Sequence, residues 1–369
     1  MDRKKKRVRI FAYTKVNLGD DLFIKILCER YPDITFYLFA DKDTKAVFKG
    51  CRNLRCYDYL WPRRMLRVLR MLGINNVNDD QLLGKLFKLD AYVYIGGSIF
   101  IQGNFWRNAL QNRYAQLIEG KPNFVMGCNF GPFESKEYLS SYRRLFQNYT
   151  DVCFRDEYSY QLFKEMKNTR HGSDIVFGIA GLPQPEVIKA VGISVINLEL
   201  PARKEIVQYA KQYDAKMAEI AEVFIRKGYD IYFYSFCKAE GDEEAIERIV
   251  ELISPTLRKQ SFSHYYRGDL DAVLQSLASM EYIIATRFHA MILGMVLKKP
   301  TYPIIYDEKM KHVLEDMKFA GNYSLLSEVG DIIPQEMIVD FTENAQDVTR
   351  QVADSHKHFT AFEKYINEN

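Results

Sequence analysis

Short apolar runs alternate with stretches of helical periodicity along most of this chain. The runs at 7–13, 34–40, 91–95, 124–127 and 152–154 are nearly continuous in apolar residues, as parallel strands buried on both faces require. Helical patterns fill the intervals at 21–30, 106–119, 136–148 and 157–166. This is the β-α-β rhythm of a doubly wound sheet. It breaks at 178–185, where two glycines and two prolines stop both helices and strands and predict a linker. It then restarts, with strands predicted at 191–198, 230–236, 282–285 and 301–305. Helices are predicted at 203–227, 241–253, 270–279 and 287–297, and a long final helix at 342–366. The pattern predicts an α/β protein with two Rossmann-like domains facing across a cleft, and a C-terminal helix bridging back.

Composition narrows the function classes. With 369 residues and 47% apolar content there is material for two cores. The 51 basic and 48 acidic residues leave a charge of +3, too even for a dedicated nucleic-acid binder. No apolar stretch is long enough to span a bilayer, and the first residues lack the apolar core of a signal peptide, so a cytoplasmic protein is expected. Two basic stretches, Arg3 to Arg7 and the amphipathic segment from Trp61 to Leu72, read as solvated faces. Their second reading is peripheral contact with the inner membrane surface or a lipid-linked acceptor. The six cysteines show no zinc-binding spacing and are expected as reduced thiols.

The candidate chemistry falls at predicted strand ends, where open α/β sheets place their ligands. Thr286-Arg287-Phe288-His289 joins a strand to a helix. Arg287 offers a rigid fork of donors to phosphate or carboxylate, and His289 a group that exchanges a proton near neutral pH. The bland alternative is an arginine that caps structure and a histidine satisfied in the core. Asn17-Leu18-Gly19-Asp20, Gly96-Gly97-Ser98 and Asn129-Phe130-Gly131 are three loops in the first half, each open to an ordinary turn or capping role as well. Arg155 either pairs with Asp156 or faces an anion. Tyr306-Asp307-Glu308-Lys309 could bring Lys309 beside Arg287; a cation in a helical first turn is slightly unfavourable, which favours a functional reading.

Taken in order, these segments resemble the polysaccharide pyruvyl transferase family. The matching pieces also include Phe154-Arg155-Asp156-Glu157-Tyr158-Ser159, Ser173-Asp174-Ile175-Val176-Phe177 and Val191-Gly192-Ile193-Ser194. The resemblance implies a GT-B-like fold, with 1–180 as the acceptor-side domain, 186–335 as the donor-side domain and 336–369 as a C-terminal helical segment. It implies transfer of the three-carbon unit of phosphoenolpyruvate to a saccharide or lipid-linked oligosaccharide acceptor, closing a pyruvate ketal without a metal or other cofactor. His289 and Arg287 match the family's catalytic Arg-x-His pair. Asn17, Gly19, Asp20, Gly96, Gly97, Ser98, Gly131, Arg155, Tyr306 and Lys309 are expected to bind substrate. The glycine loop differs from that of some relatives in lacking a third glycine and a following acidic residue. Two rivals follow: a GT-B glycosyltransferase using a nucleotide sugar, and a non-catalytic polysaccharide-assembly protein.

Overall fold

The computed structural model describes residues 5–58, 64, 65, 67, 68, 71, 79–339 and 343–368. It separates into two compact units. One comprises residues 1–14, 20–178 and 353–369, and the other residues 15–19 and 179–352.

The first unit holds strands β1 (Arg7–Phe11), β2 (Thr35–Ala40), β3 (Leu54–Asp58), β4 (Ala91–Ile95), β5 (Asn123–Cys128), β6 (Asp151–Phe154) and β7 (Thr169–His171). They form one parallel sheet in the order β3-β2-β1-β4-β5-β6-β7. Every residue of β4, β5 and β6 is buried, as the continuous apolar runs require. Much of the chain's aromatic content is core. Phe100, Phe130, Tyr138, Tyr142, Phe146 and Phe163 pack together, with the Phe130 and Phe163 rings edge to face at 4.8 Å.

The second unit holds β8 (Ala190–Ser194), β9 (Asp230–Ser235), β10 (Ser261–Tyr265), β11 (Tyr282–Ala285), β12 (Thr301–Ile305) and β13 (Ser324–Leu325). They form a second parallel sheet in the order β10-β9-β8-β11-β12-β13. Strand order therefore reverses between β1 and β4 in one sheet and between β8 and β11 in the other. Such reversals open a crevice at the carboxyl ends of the strands.

Two expectations are corrected. The helix predicted from residue 203 begins at Ala210, after two short 3₁₀ turns. The single final helix is instead Thr349–Ser355, a 3₁₀ turn at His356–Phe359 and a last helix Thr360–Asn367. The 3₁₀ turn carries two buried residues, His358 and Phe359. Residues 340–342, most of 61–72 and the first four residues of the basic N-terminus lie outside the described residues.

Candidate functional site

In the second unit the chemistry gathers at the reversal between β8 and β11. Arg287 caps the helix Phe288–Val296 that follows β11. Its backbone N–H donates to the Ser194 hydroxyl at the end of β8 (3.2 Å), and the Thr286 N–H to the Ser194 carbonyl. The buried Tyr213 hydroxyl donates to Thr286 Oγ1 (2.9 Å), so the turn is fastened on both sides.

The Arg287 side chain is 8% exposed and lies between two carboxylates. Nε donates to Asp242 Oδ2 (3.0 Å), Nη2 to Asp242 Oδ1, and Nη1 to Glu240 Oε2 (2.6 Å). The two carboxylates are held differently. Asp242 is fully buried and also accepts the Phe236 and Cys237 amides at 2.9 and 3.0 Å. Glu240 is held by side-chain donors: Arg287, Arg203 Nη2 (2.6 Å) and Asn17 Nδ2 (3.3 Å). Burial raises the Asp242 carboxyl above its usual range, against the pull of Arg287 and the two amides. Burial also opposes ionisation of Glu240, yet Arg287, Arg203 and Lys309 outweigh it and hold the group down at about 2. Glu240 is therefore a permanent anion at any physiological pH.

Residues Lys15–Gly19 belong to this unit. Val16 adopts φ +50°, costly for a β-branched residue, and delivers Asn17 to an antiparallel bridge with Cys237. The Leu18 N–H donates to the Phe236 carbonyl, and Asn17 Oδ1 accepts from the Gly19 N–H (3.1 Å). Gly19 lies flat against the His289 ring, where a Cβ would fall 1.7 Å from Nδ1. Asn17 and Gly19 thus tie the anion-bearing Glu240 and the His289 ring to one short segment. After β12, Asp307 caps the helix Glu308–Met317, and Lys309 Nζ stands 3.1 Å from Asp307 and 5.3 Å from the centre of the Tyr306 ring. The positive charge of Lys309 contributes to holding the Glu240 carboxyl down.

The first unit carries a separate polar knot at the ends of β4, β5 and β6. Arg155 is 3% exposed and donates to Asp174 Oδ2 (3.0 Å) and Asn129 Oδ1 (2.6 Å). Ser98 Oγ donates to the same Asn129 oxygen (3.0 Å), and Asn129 Nδ2 to the Gly131 carbonyl (3.2 Å). The guanidinium rests on the Gly97 backbone, where a Cβ would lie 2.5 Å from Nη1. Gly96 turns at φ +151°, and Asp20 approaches it, its Oδ1 falling 3.4 Å from where a Cβ would be. Gly131, at φ +105° before a cis Pro132, donates to the Phe100 carbonyl (2.8 Å).

Arg155 therefore pairs with Asp174. Asp156, the partner considered from sequence, caps the next helix by accepting the Ser159 N–H (2.7 Å). Sequence reasoning also missed Glu240, Asp242 and Arg203. Asp242 opens an acidic helix and reads as part of its solvated first turn, and Glu240 lies in the short turn just before it. Among the described residues, no group of three or more histidine, cysteine or acidic side chains is arranged to hold a metal ion.

Comparison with known proteins decides the family. The sequence model of the polysaccharide pyruvyl transferases matches residues 17–308. The chain belongs to this family. It is similar to the amylovoran biosynthesis protein AmsJ of Erwinia amylovora, at 22% identity over 300 residues, covering 74% of this chain and 70% of AmsJ. Among solved structures, its fold resembles Anabaena Alr3699/HepE, determined with UDP and glucose (TM-score 0.57, 13% identity, 99% of both chains). It also resembles UDP-GlcNAc 2-epimerase of Methanocaldococcus jannaschii (TM-score 0.60, 12% identity, 98% of this chain and 100% of the other). The family member is thus a transferase acting on polysaccharide, with two parallel-sheet α/β domains of GT-B-like type. No helix of the described residues is long and apolar enough to cross a membrane.

Proposed function

We propose that this pyruvyl transferase moves the enolpyruvyl carbons of phosphoenolpyruvate onto two hydroxyls of a cell-surface saccharide or its lipid-linked precursor. The observation that carries this reading is the Arg287 turn. It presents a clamped guanidinium, and a histidine two residues on, at the strand-order reversal of the second sheet.

The chemistry fits those groups. Phosphoenolpyruvate bears a phosphate and a carboxylate, which Arg287, Arg203 and Lys309 suit as charge-assisted donors. A proton delivered to the methylene carbon by His289 leaves an oxocarbenium-like centre at the adjacent carbon. One sugar hydroxyl attacks that carbon, the C–O bond to phosphate breaks, and a second hydroxyl closes the ketal. Two hydroxyl protons are lost in all. One balances the proton gained by the methyl group, and the other departs with phosphate. The Gly19 backbone packs beside Nδ1 and so constrains the position of the His289 ring.

Thermal unfolding in the presence of candidate donors tests the donor class. A ligand that binds the folded state stabilises it by about 2.7 kcal/mol at a hundred times its dissociation constant. Phosphoenolpyruvate is expected to raise the melting temperature. A rise with nucleotide sugars and none with phosphoenolpyruvate would transfer the chain to the glycosyltransferase reading.

A further inference from the structure

Two carboxylates meet Arg287, but they are built into the fold in different ways. Asp242 is fixed by two backbone amides as well as by the guanidinium, and none of it reaches solvent. The Glu240 side chain is 28% exposed. It sits at the end of a three-residue 3₁₀ turn, directly before Gly241 at φ +70°. Its three hydrogen bonds come from side chains on three distant parts of the sequence: Arg287, Arg203 and Asn17. Each of those donors suits an external anion equally well. Two guanidinium nitrogens converge on one oxygen, Oε2, and an amide nitrogen on the other, which is how a free carboxylate or phosphate is bound.

We infer that Glu240 is an exchangeable internal anion: its carboxylate occupies a site formed by Arg287, Arg203 and Asn17 that takes a phosphate or carboxylate group of the substrate when Glu240 swings out. Asp242 stays on Arg287 throughout and keeps the guanidinium in place. The partly exposed Glu240 side chain can leave by rotation about its own bonds without disturbing the strands. Since Glu240 is ionised across the physiological range, the exchange is driven by the competing anion and not by protonation. In the empty protein Glu240 offsets positive charge shared by Arg287 and Arg203, and it sets the anion affinity by competition. Arg203, which no sequence motif flagged, becomes a ligand-binding residue. The inference rests on the donor-site reading only for the identity of the physiological anion.

Calorimetric titration of the full chain with inorganic phosphate, and separately with acetate, tests it. Glu240→Gln keeps the shape and removes the competing charge, so it should bind phosphate or acetate about tenfold or more tightly than wild type. Tightening for phosphate alone assigns the site to the phosphate end of a substrate, and tightening for acetate alone to a carboxylate end. Arg203→Gln should weaken the same anion about tenfold while leaving the Arg287–Asp242 pair intact. If Glu240→Gln unfolds in chloride buffer, phosphate or acetate should restore its melting temperature. Unchanged or weaker affinity for both anions in Glu240→Gln, or an unfolded variant that neither anion rescues, overturns the inference. Neither outcome depends on turnover of phosphoenolpyruvate, so failure here is distinct from failure of the proposed reaction.

Discussion

Replacing His289 with asparagine keeps a polar side chain beside Gly19 but removes the group that can hand over a proton. A general acid contributes about 10²–10⁴-fold in rate, so His289→Asn should lower turnover by roughly that factor while donor binding falls much less. Gly19→Ala should move turnover the same way, because its Cβ has no room beside Nδ1 and must push the ring aside. Steady-state kinetics with calorimetric donor binding checks both; a stable, fully active His289→Asn would remove the histidine from the chemistry. Arg155 calls for the opposite expectation. Its guanidinium and Asp174 are 2% and 0% exposed, and removing one partner of such a pair typically costs about 3–5 kcal/mol. Asp174→Asn should therefore cut stability in chemical denaturation, and unchanged stability would show that the pair is not structural. The strand-to-helix placement of Arg287 and His289 was legible from sequence because an apolar run leads straight into them. Their setting was not. Asp242 lies 45 positions from Arg287, and nothing in its acidic neighbourhood distinguishes it from a solvated helix start.

At the scale of elements, the C-terminal segment is pinned to the first sheet by a buried histidine. His358 Nδ1 accepts the Gly127 N–H of β5 (3.1 Å), and its Nε2 faces the Ser173 carbonyl (2.9 Å). The ring is therefore neutral, with its proton on Nε2. Burial lowers its pKa from 6.5 to about 4; Asp174 opposes that shift, while Arg170 and His171 assist it. Below pH 6.5 the unfolded chain takes up a proton that the folded protein refuses until about pH 4. The stabilisation is thus complete above 6.5 and is lost as pH falls through that window, by up to about 1.4 kcal/mol per pH unit. His358→Gln can make both hydrogen bonds without titrating, so its stability should fall less steeply between pH 6.5 and 4. Parallel slopes for the two proteins would contradict this. Elements buried on both faces, such as β4 to β6 and β11, were readable as apolar runs. Strands β3 and β10 were not, since both lie at sheet edges and are partly exposed along most of their length. The single helix expected at 342–366 is interrupted by the 3₁₀ turn at His356–Phe359, which separates the helices Thr349–Ser355 and Thr360–Asn367.

For the molecule as a whole, the two β-α-β series and the Gly/Pro break between them are sequence-level features, and they recur as two parallel sheets with reversed strand order. The assignment of residues 15–19 to the second unit and of 353–369 to the first was beyond periodicity. It depends on pairings such as Asn17 with Cys237 and Gly127 with His358, which join residues more than two hundred positions apart. The central claim is that this family member protonates phosphoenolpyruvate at its methylene carbon and transfers the resulting three-carbon unit. The direct measurement is the reaction run in D₂O with a saccharide acceptor, followed by proton and phosphorus NMR. The account predicts a new ketal methyl group carrying one deuterium, formed in step with phosphate release, and its loss in His289→Asn. A product methyl without solvent deuterium, or acceptor modification that requires a nucleotide sugar and releases no phosphate from phosphoenolpyruvate, would contradict it.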